Sequence, residues 1–205
     1  MNLDGGSKQF IEIGGKPVIR RTLEVFDASP YISEIIISAR DCDIGRLEGL
    51  AGEFKKIKSI TEGGETRVES VARAVVRVSQ SAEYIAVHDG ARCFVTLEDI
   101  EKVALCAFET GAAAAGCRVY DTVKRVDSEG NIIRTLERGF LRAVQTPQIF
   151  LKDNYIRALE VADINAPDDC YIMESAGYKV AVVECSRYNI KVTDWQDLEF
   201  LAGLE

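Results

Sequence analysis

Stretches with helical apolar spacing alternate with short β-branched runs along most of this chain, and that alternation limits the possible folds more than any other feature. Residues 17–28 (PVIRRTLEVFDA) carry Val18, Ile19, Leu23, Val25 and Phe26 at helical spacing, with Pro17 suited to a first helical turn. Residues 34–40 (EIIISAR) are the kind of run that fills a buried parallel strand. Residues 43–53 read as helix and 55–64 as a strand entering a glycine turn. An amphipathic helix follows over 65–80, with Val68, Val71, Ala72, Val75 and Val76 as its apolar stripe. Residues 84–89 (YIAVHD) are the next strand, 97–110 the next helix and 111–120 a strand of small residues. Such an order predicts an α/β fold: a mostly parallel, Rossmann-like nucleotide-binding sheet with helices on both faces and right-handed crossovers. Ligands of these sheets bind beyond the carboxyl ends of the strands. The motifs GGETR, HDGAR and YDTVKR all fall there.

The rhythm breaks at residues 120–138, where the short alternating pieces VKRV and IIRTL flank the turn DSEGN. That is a hairpin signature, and a lone hairpin is marginal in water. It predicts a protruding β-arm that packs on a second subunit, hence a homodimer. Beyond it lie helices at 152–162 and 168–176, a strand at 179–185, NIKVT (189–193) read as an apolar strand around Lys191, and a helix from about 194. The chain reads as one domain over 1–205 with the arm at about 120–138. Parallel sheets of this type open with a strand, whereas this sequence opens in a polar glycine loop, so the first strand is expected to be missing from it.

Charge narrows the ligands. With 25 basic and 33 acidic residues the net charge is −8, which disfavours nucleic acid and anionic membranes but not a small phosphate ligand held by local cations. The six cysteines are scattered without a CxxC pair and His88 is the only histidine, so a structural zinc site is not expected. There is no signal-peptide pattern and no apolar run of membrane-spanning length, and a soluble cytoplasmic protein with reduced thiols is expected.

In HDGAR (88–92), Asp89 can hold Mg²⁺ with phosphate oxygens while Arg92 clamps phosphate; a turn Asp paired with its neighbouring Arg reads equally well. In GGETRVES (63–70), the glycines allow close backbone approach, and first-turn N–H groups, Arg67 and Ser70 can read a polar ligand. An acidic first helical turn without any ligand fits the same residues. Lys191 either snorkels or reaches a phosphate. His88 reads as a packed residue rather than a catalyst, and no Ser/His/Asp constellation is present.

Taken in order, SKQF, GGKPVIRRTLEVF, GGETRVESV, VHDGARCFV, YDTVKR, LERG, QTPQIF and NIKVT resemble the 2-C-methyl-D-erythritol 4-phosphate cytidylyltransferase family over essentially the whole chain. The resemblance implies joining of CTP to methylerythritol 4-phosphate with release of pyrophosphate, in the non-mevalonate route to isoprenoid precursors, by a homodimer interlocked through β-arms. It implies that Lys8 contacts the CTP phosphates and that Gly64, Glu65, Arg67, Ser70 and Gly90 surround the nucleotide. Asp89 would hold Mg²⁺ and orient the sugar phosphate beside Arg92. Thr122 and Arg138 of the arm, with Thr146, would reach the sugar phosphate of the neighbouring subunit, and Lys191 would neutralise the α-phosphate. Lys8, Lys191 and Asp89 are thus the implied catalytic set.

The sequence departs from the family in four places. The family's opening strand and A-A-G-x-G-x-R-M loop are missing, Met1 aligning with the M of that loop, which predicts a fragment or a late start. Ser7 and Cys93 stand where the family has Pro, and Asp168-Asp169-Cys170 only loosely follows its Thr-Asp-Glu. Two other functions fit the same residues: a pentitol-phosphate (ribitol 5-phosphate) cytidylyltransferase, and an inactive CTP-binding module.

Overall fold

The computed structural model describes residues 7–203, so the expectations about the opening loop and Met1 lie outside the described residues. A 3-10 turn, Lys8–Phe10, leads into the small ribbon of β1 (Glu12–Ile13) and β2 (Lys16–Pro17). Gly14 and Gly15 join these strands at φ of 54° and 75°, a region that glycine enters without strain. Then follow α1 (Val18–Ala28), β3 (Ile35–Ala39), α2 (Asp41–Ala51), β4 (Ile57–Glu62), α3 (Arg67–Val75), β5 (Tyr84–Val87) and α4 (Leu97–Thr110). The second half comprises β6 (Ala112–Arg118), β7 (Lys124–Val126), β8 (Ile132–Thr135), β9 (Arg142–Leu151), α5 (Lys152–Glu160), α6 (Asp169–Ser175), β10 (Ala181–Glu184) and α7 (Trp195–Ala202).

Helices and strands follow the apolar spacing closely. α1 buries Val18, Ile19, Leu23 and Phe26, four of the five residues on its predicted face. The expected helix over 65–80 stops at Val75, and Val76, placed on its apolar stripe, is exposed. The next turn is held instead by Glu34, whose carboxylate accepts from the amide and hydroxyl of Ser79. Residues 189–193 do not form the expected strand. One backbone bond, from Val192 N–H to Ala91 O at 2.9 Å, ties them to the turn after β5, and a single bond does not make a ladder.

The main sheet runs β10-β6-β9-β5. β5, β6 and β10 point one way, and β9 runs antiparallel between β6 and β5. The reason is topological: no crossover helix separates β6 from β9, only the arm, so the chain can return beside β6 only in the opposite direction. β6 is buried on both faces. Ala112 and Ala114 pack with Phe150 and Tyr155, while Ala113 and Ala115 pack with Val103, Ala104 and Ala107 of α4. Small side chains suit a strand squeezed between two helical layers.

β3 and β4 pair in parallel as a separate unit, and β3 and β5 face one another across a cavity of about 690 Å³. Tyr31, ahead of β3, and Tyr84, at the start of β5, both lie against Phe108 of α4. The carboxyl ends of β3 and β5 open towards Lys8 and Asp89.

Candidate active site

The site begins where β5 ends. His88 is half-buried and lies against Phe26, with ring centroids 4.6 Å apart. Its Nε2 lies 3.3 Å from Arg92 O, and a carbonyl can only accept, so Nε2 carries the proton. Nδ1 therefore accepts from the Thr146 hydroxyl at 3.0 Å, and that hydroxyl accepts from Asp89 N–H at 3.0 Å. Burial pushes the His88 pKa down to about 4, so the ring is neutral near pH 7 and the relay keeps its direction. His88 is a brace, as the sequence suggested.

Held this way, Asp89 presents Oδ2 to Arg92 Nε at 3.3 Å and to Lys191 Nζ at 3.2 Å. Burial raises its carboxyl pKa, but Lys191, Arg92 and Arg67 outweigh burial and hold it below the ordinary value. Lys8 lies within electrostatic reach of Asp89 and Lys191, and burial followed by Lys191 lowers its pKa. Four cations, Lys8, Arg67, Arg92 and Lys191, thus gather around three carboxylates, Asp89, Asp169 and Asp197. A local cationic excess in a chain of net charge −8 marks a place for an anion.

The loop carrying Lys191 is tied to the same turn. Arg92 Nη1 donates to Asn189 O at 3.0 Å, and Asn189 Nδ2 donates to Thr146 O at 2.8 Å. Gln145 Nε2 reaches Ser186 O at 3.3 Å, and Gln148 Oε1 accepts from the amides of Asp169 and Cys170 at the start of α6. The QTPQ segment of β9 therefore brackets three elements at once. Its weak signal in the sequence concealed this, because each partner is more than twenty residues away.

Among the glycine-loop residues, Gly64 is obligatory: an added Cβ would come within 2.2 Å of Glu69 Cβ. Ser70 spends its hydroxyl locally, accepting from Gly64 N–H at 3.0 Å and donating to Thr66 O at 2.8 Å. Thr66 and Glu69 form a capping box, which engages the amides of Thr66 and Glu69 within the chain. Gly64, Arg67, Ser70, Asp89 and Gly90 line the 690 Å³ cavity; Glu65 is exposed and does not line it. Thr122 and Arg138 do not join this group. Both are exposed, and Arg138 donates to Tyr120 O beside a separate cavity of about 310 Å³.

A cluster of cations around one poised carboxylate, placed beyond the carboxyl ends of α/β strands, fits a phosphate-handling enzyme, and the nucleotidyltransferases are such a class. The family model for 2-C-methyl-D-erythritol 4-phosphate cytidylyltransferase matches residues 2–202. The chain belongs to that family. It is 40% identical over 206 aligned positions to the enzyme of that name from Halalkalibacterium halodurans, covering 98% of this chain and 89% of the relative. The Alkaliphilus metalliredigens enzyme is 38% identical, with coverage of 97% and 85%. Among solved structures, a 4-diphosphocytidyl-2C-methyl-D-erythritol synthase from Anaerococcus prevotii superposes with a TM-score of 0.91 at 26% identity, covering 98% of this chain and 91% of that one. The cytidylyltransferase from Thermus thermophilus gives 0.81 at 31% identity, with coverage of 98% and 94%.

Proposed function

We propose that this protein joins CTP to 2-C-methyl-D-erythritol 4-phosphate, giving CDP-methylerythritol and pyrophosphate in isoprenoid precursor biosynthesis. The observation that carries the reading is Asp89, locked through His88 and Thr146 and flanked by Arg92 and Lys191. An oxygen of the sugar phosphate attacks the α-phosphorus of CTP; a P–O bond forms, the bond to the β-phosphate bridge breaks, and pyrophosphate leaves with the electron pair. The attacking phosphate is already anionic at neutral pH, so no base or covalent intermediate is needed. The protein's part is alignment and charge neutralisation, with Lys8 on the triphosphate and Lys191 on the α-phosphate.

Gly64, Glu65, Ser70 and Gly90 shape the nucleotide approach, Arg67 reads the nucleotide and Arg92 takes the sugar phosphate. Mg²⁺ suits this donor set: it commonly uses one or two carboxylates with substrate phosphates, and here Asp89 stands at the strand end among the cations. Among the described residues no three His, Cys, Asp or Glu side chains cluster, so phosphate oxygens and water would complete the shell. The ion, when bound, neutralises charge on the phosphates. Thr146 acts at the sugar-phosphate end through the Asp89 amide that it holds.

Thr122 and Arg138 serve the neighbouring subunit's sugar phosphate in a homodimer. This is supported by the exposure of the arm, including Ile132 at 65% and Ile133 at 55%. A cytoplasmic setting is part of the reading, supported by six cysteines without a disulfide. No described helix is long and apolar enough to cross a membrane.

Pyrophosphate release with CTP and Mg²⁺ tests the proposal, with methylerythritol 4-phosphate and ribitol 5-phosphate in parallel. Release with the first alone is the expected result. Release with ribitol 5-phosphate alone would assign a pentitol-phosphate enzyme instead. CTP binding without turnover of either would leave a nucleotide-binding module.

A further inference from the structure

Arg67 and Asp169 come from elements 102 residues apart and form an ion pair between Nη2 and Oδ2. The carboxylate of Asp169 is fully buried, and it is anchored on every side. Its Oδ1 accepts from the Tyr155 hydroxyl, its amide donates to Gln148 Oε1 at 3.1 Å, and Asp168 caps the same helix by accepting from Tyr171 N–H. An anion fixed so firmly fixes its partner, because a guanidinium is a rigid planar fork.

The rest of that fork is not used for bracing. Arg67 Nη1 is buried and has no hydrogen-bond partner among the described residues. The side chain keeps 30% exposure, lines the same cavity as Gly64 and Ser70, and lies within electrostatic reach of Asp89. A purely structural brace would satisfy both terminal nitrogens, since a buried donor left unpaired is costly.

We infer that Asp169 is a positioning residue which, supported by Tyr155 and Gln148, holds the partly exposed Arg67 side chain at the cavity wall for an acceptor oxygen of the nucleotide. This deepens the functional reading above and rests on it. The ligand class is a nucleoside triphosphate, whose carbonyl and phosphate oxygens are the acceptors that a guanidinium N–H seeks.

CTP titration by calorimetry of the wild-type chain, Asp169→Asn, Arg67→Ala and the double variant tests the inference, with steady-state KM values for both substrates. Each single variant is expected to weaken CTP binding about tenfold, and the double variant no more than either single one, as coupled residues do. The loss should fall on KM for CTP and leave KM for methylerythritol 4-phosphate unchanged, which a general weakening of the fold would not do. Tyr155→Phe, which removes one hydroxyl, should weaken CTP two- to threefold and serves if Asp169→Asn does not fold. Wild-type affinity in Asp169→Asn, or in Tyr155→Phe where it is the variant that serves, overturns the inference alone, as do fully additive losses in the double variant. A wild-type chain that binds no CTP overturns the functional reading and the inference together.

Discussion

The turn after β5 and the arm after β6 leave the same end of one sheet, yet they are built in opposite ways. In the turn, polar groups are answered within the protomer: His88 by Arg92 and Thr146, Asp89 by Arg92 and Lys191. In the arm, every residue of β7 and β8 is exposed, and its base carries Tyr120 at 62% and Phe140 at 83% exposure. The arm's order is local. Asp127 Oδ1 accepts from the amides of Glu129 and Asn131, and Gly130 takes a φ of 89°. One region is finished in a single chain, as the proposed function requires of charges that must stand at fixed separations before substrate arrives. The other holds its own shape but leaves its side chains exposed, and on the proposed reading a second subunit covers them.

The sharpest way to break the comparison is to remove the charge at the centre of the turn. Asp89→Asn keeps the shape, and turnover should fall by about 10²–10³-fold or more while the chain still folds cooperatively, with a somewhat lower unfolding midpoint because Arg92 and Lys191 lose their partner. Near-normal turnover would exclude Asp89 from charge handling and from holding Mg²⁺.

Next in size is the acid response of the turn. The folded His88 titrates at about 4, below its ordinary value of 6.5, so the unfolded chain takes up the proton first as pH falls. The stabilisation is complete above about pH 6.5 and is lost progressively down to about 4, roughly 3 kcal/mol in all. Asp89, held below its ordinary value, has the same sign, and its contribution is lost at lower pH still. Urea midpoints taken without Mg²⁺ across pH 4–8 should show this decline, and His88→Gln should flatten it between pH 6.5 and 4. A slope unchanged in that variant would show that His88 is not its source.

On the arm, Arg138→Ala should raise KM for methylerythritol 4-phosphate about tenfold and leave KM for CTP nearly unchanged. Equal losses for both substrates would remove the arm from the sugar-phosphate site. The smallest effect on the fold is expected from Ile133→Lys, within about 0.5 kcal/mol because the residue is exposed in the protomer. Sedimentation should nevertheless show a shift from dimer to monomer. An unchanged sedimentation coefficient would mean that the arm does not join subunits.

The helices, most strands and the arm were legible in the sequence because apolar period and turn chemistry act over a few residues. Lys8, Asp89, Arg92 and Lys191 were legible as motif members, and the structure does bring them together. Three features were not legible in the same way. NIKVT has a strand's composition, but its one backbone bond to the turn after β5 does not make a ladder. Thr146 was expected at the sugar phosphate, yet its proton goes to His88, a choice visible only once β9 lies beside β5. Asp169 stood in a departure from the family's pattern, Gln148 carried only the weak signal of QTPQ, and Tyr155 carried none.

By itself, then, the sequence determined most of the helices and strands and which charged side chains of the motifs stand at the carboxyl end of the sheet. Tertiary structure decided which way β9 runs, which hydrogen bonds Thr146, Gln148 and Asn189 make, and where Arg67 points. Periodicity and capping are short-range properties that each segment carries with it. The allocation of a buried proton or ion pair depends on what the rest of the chain places within about 3 Å, and for Arg67 that partner lies 102 residues away.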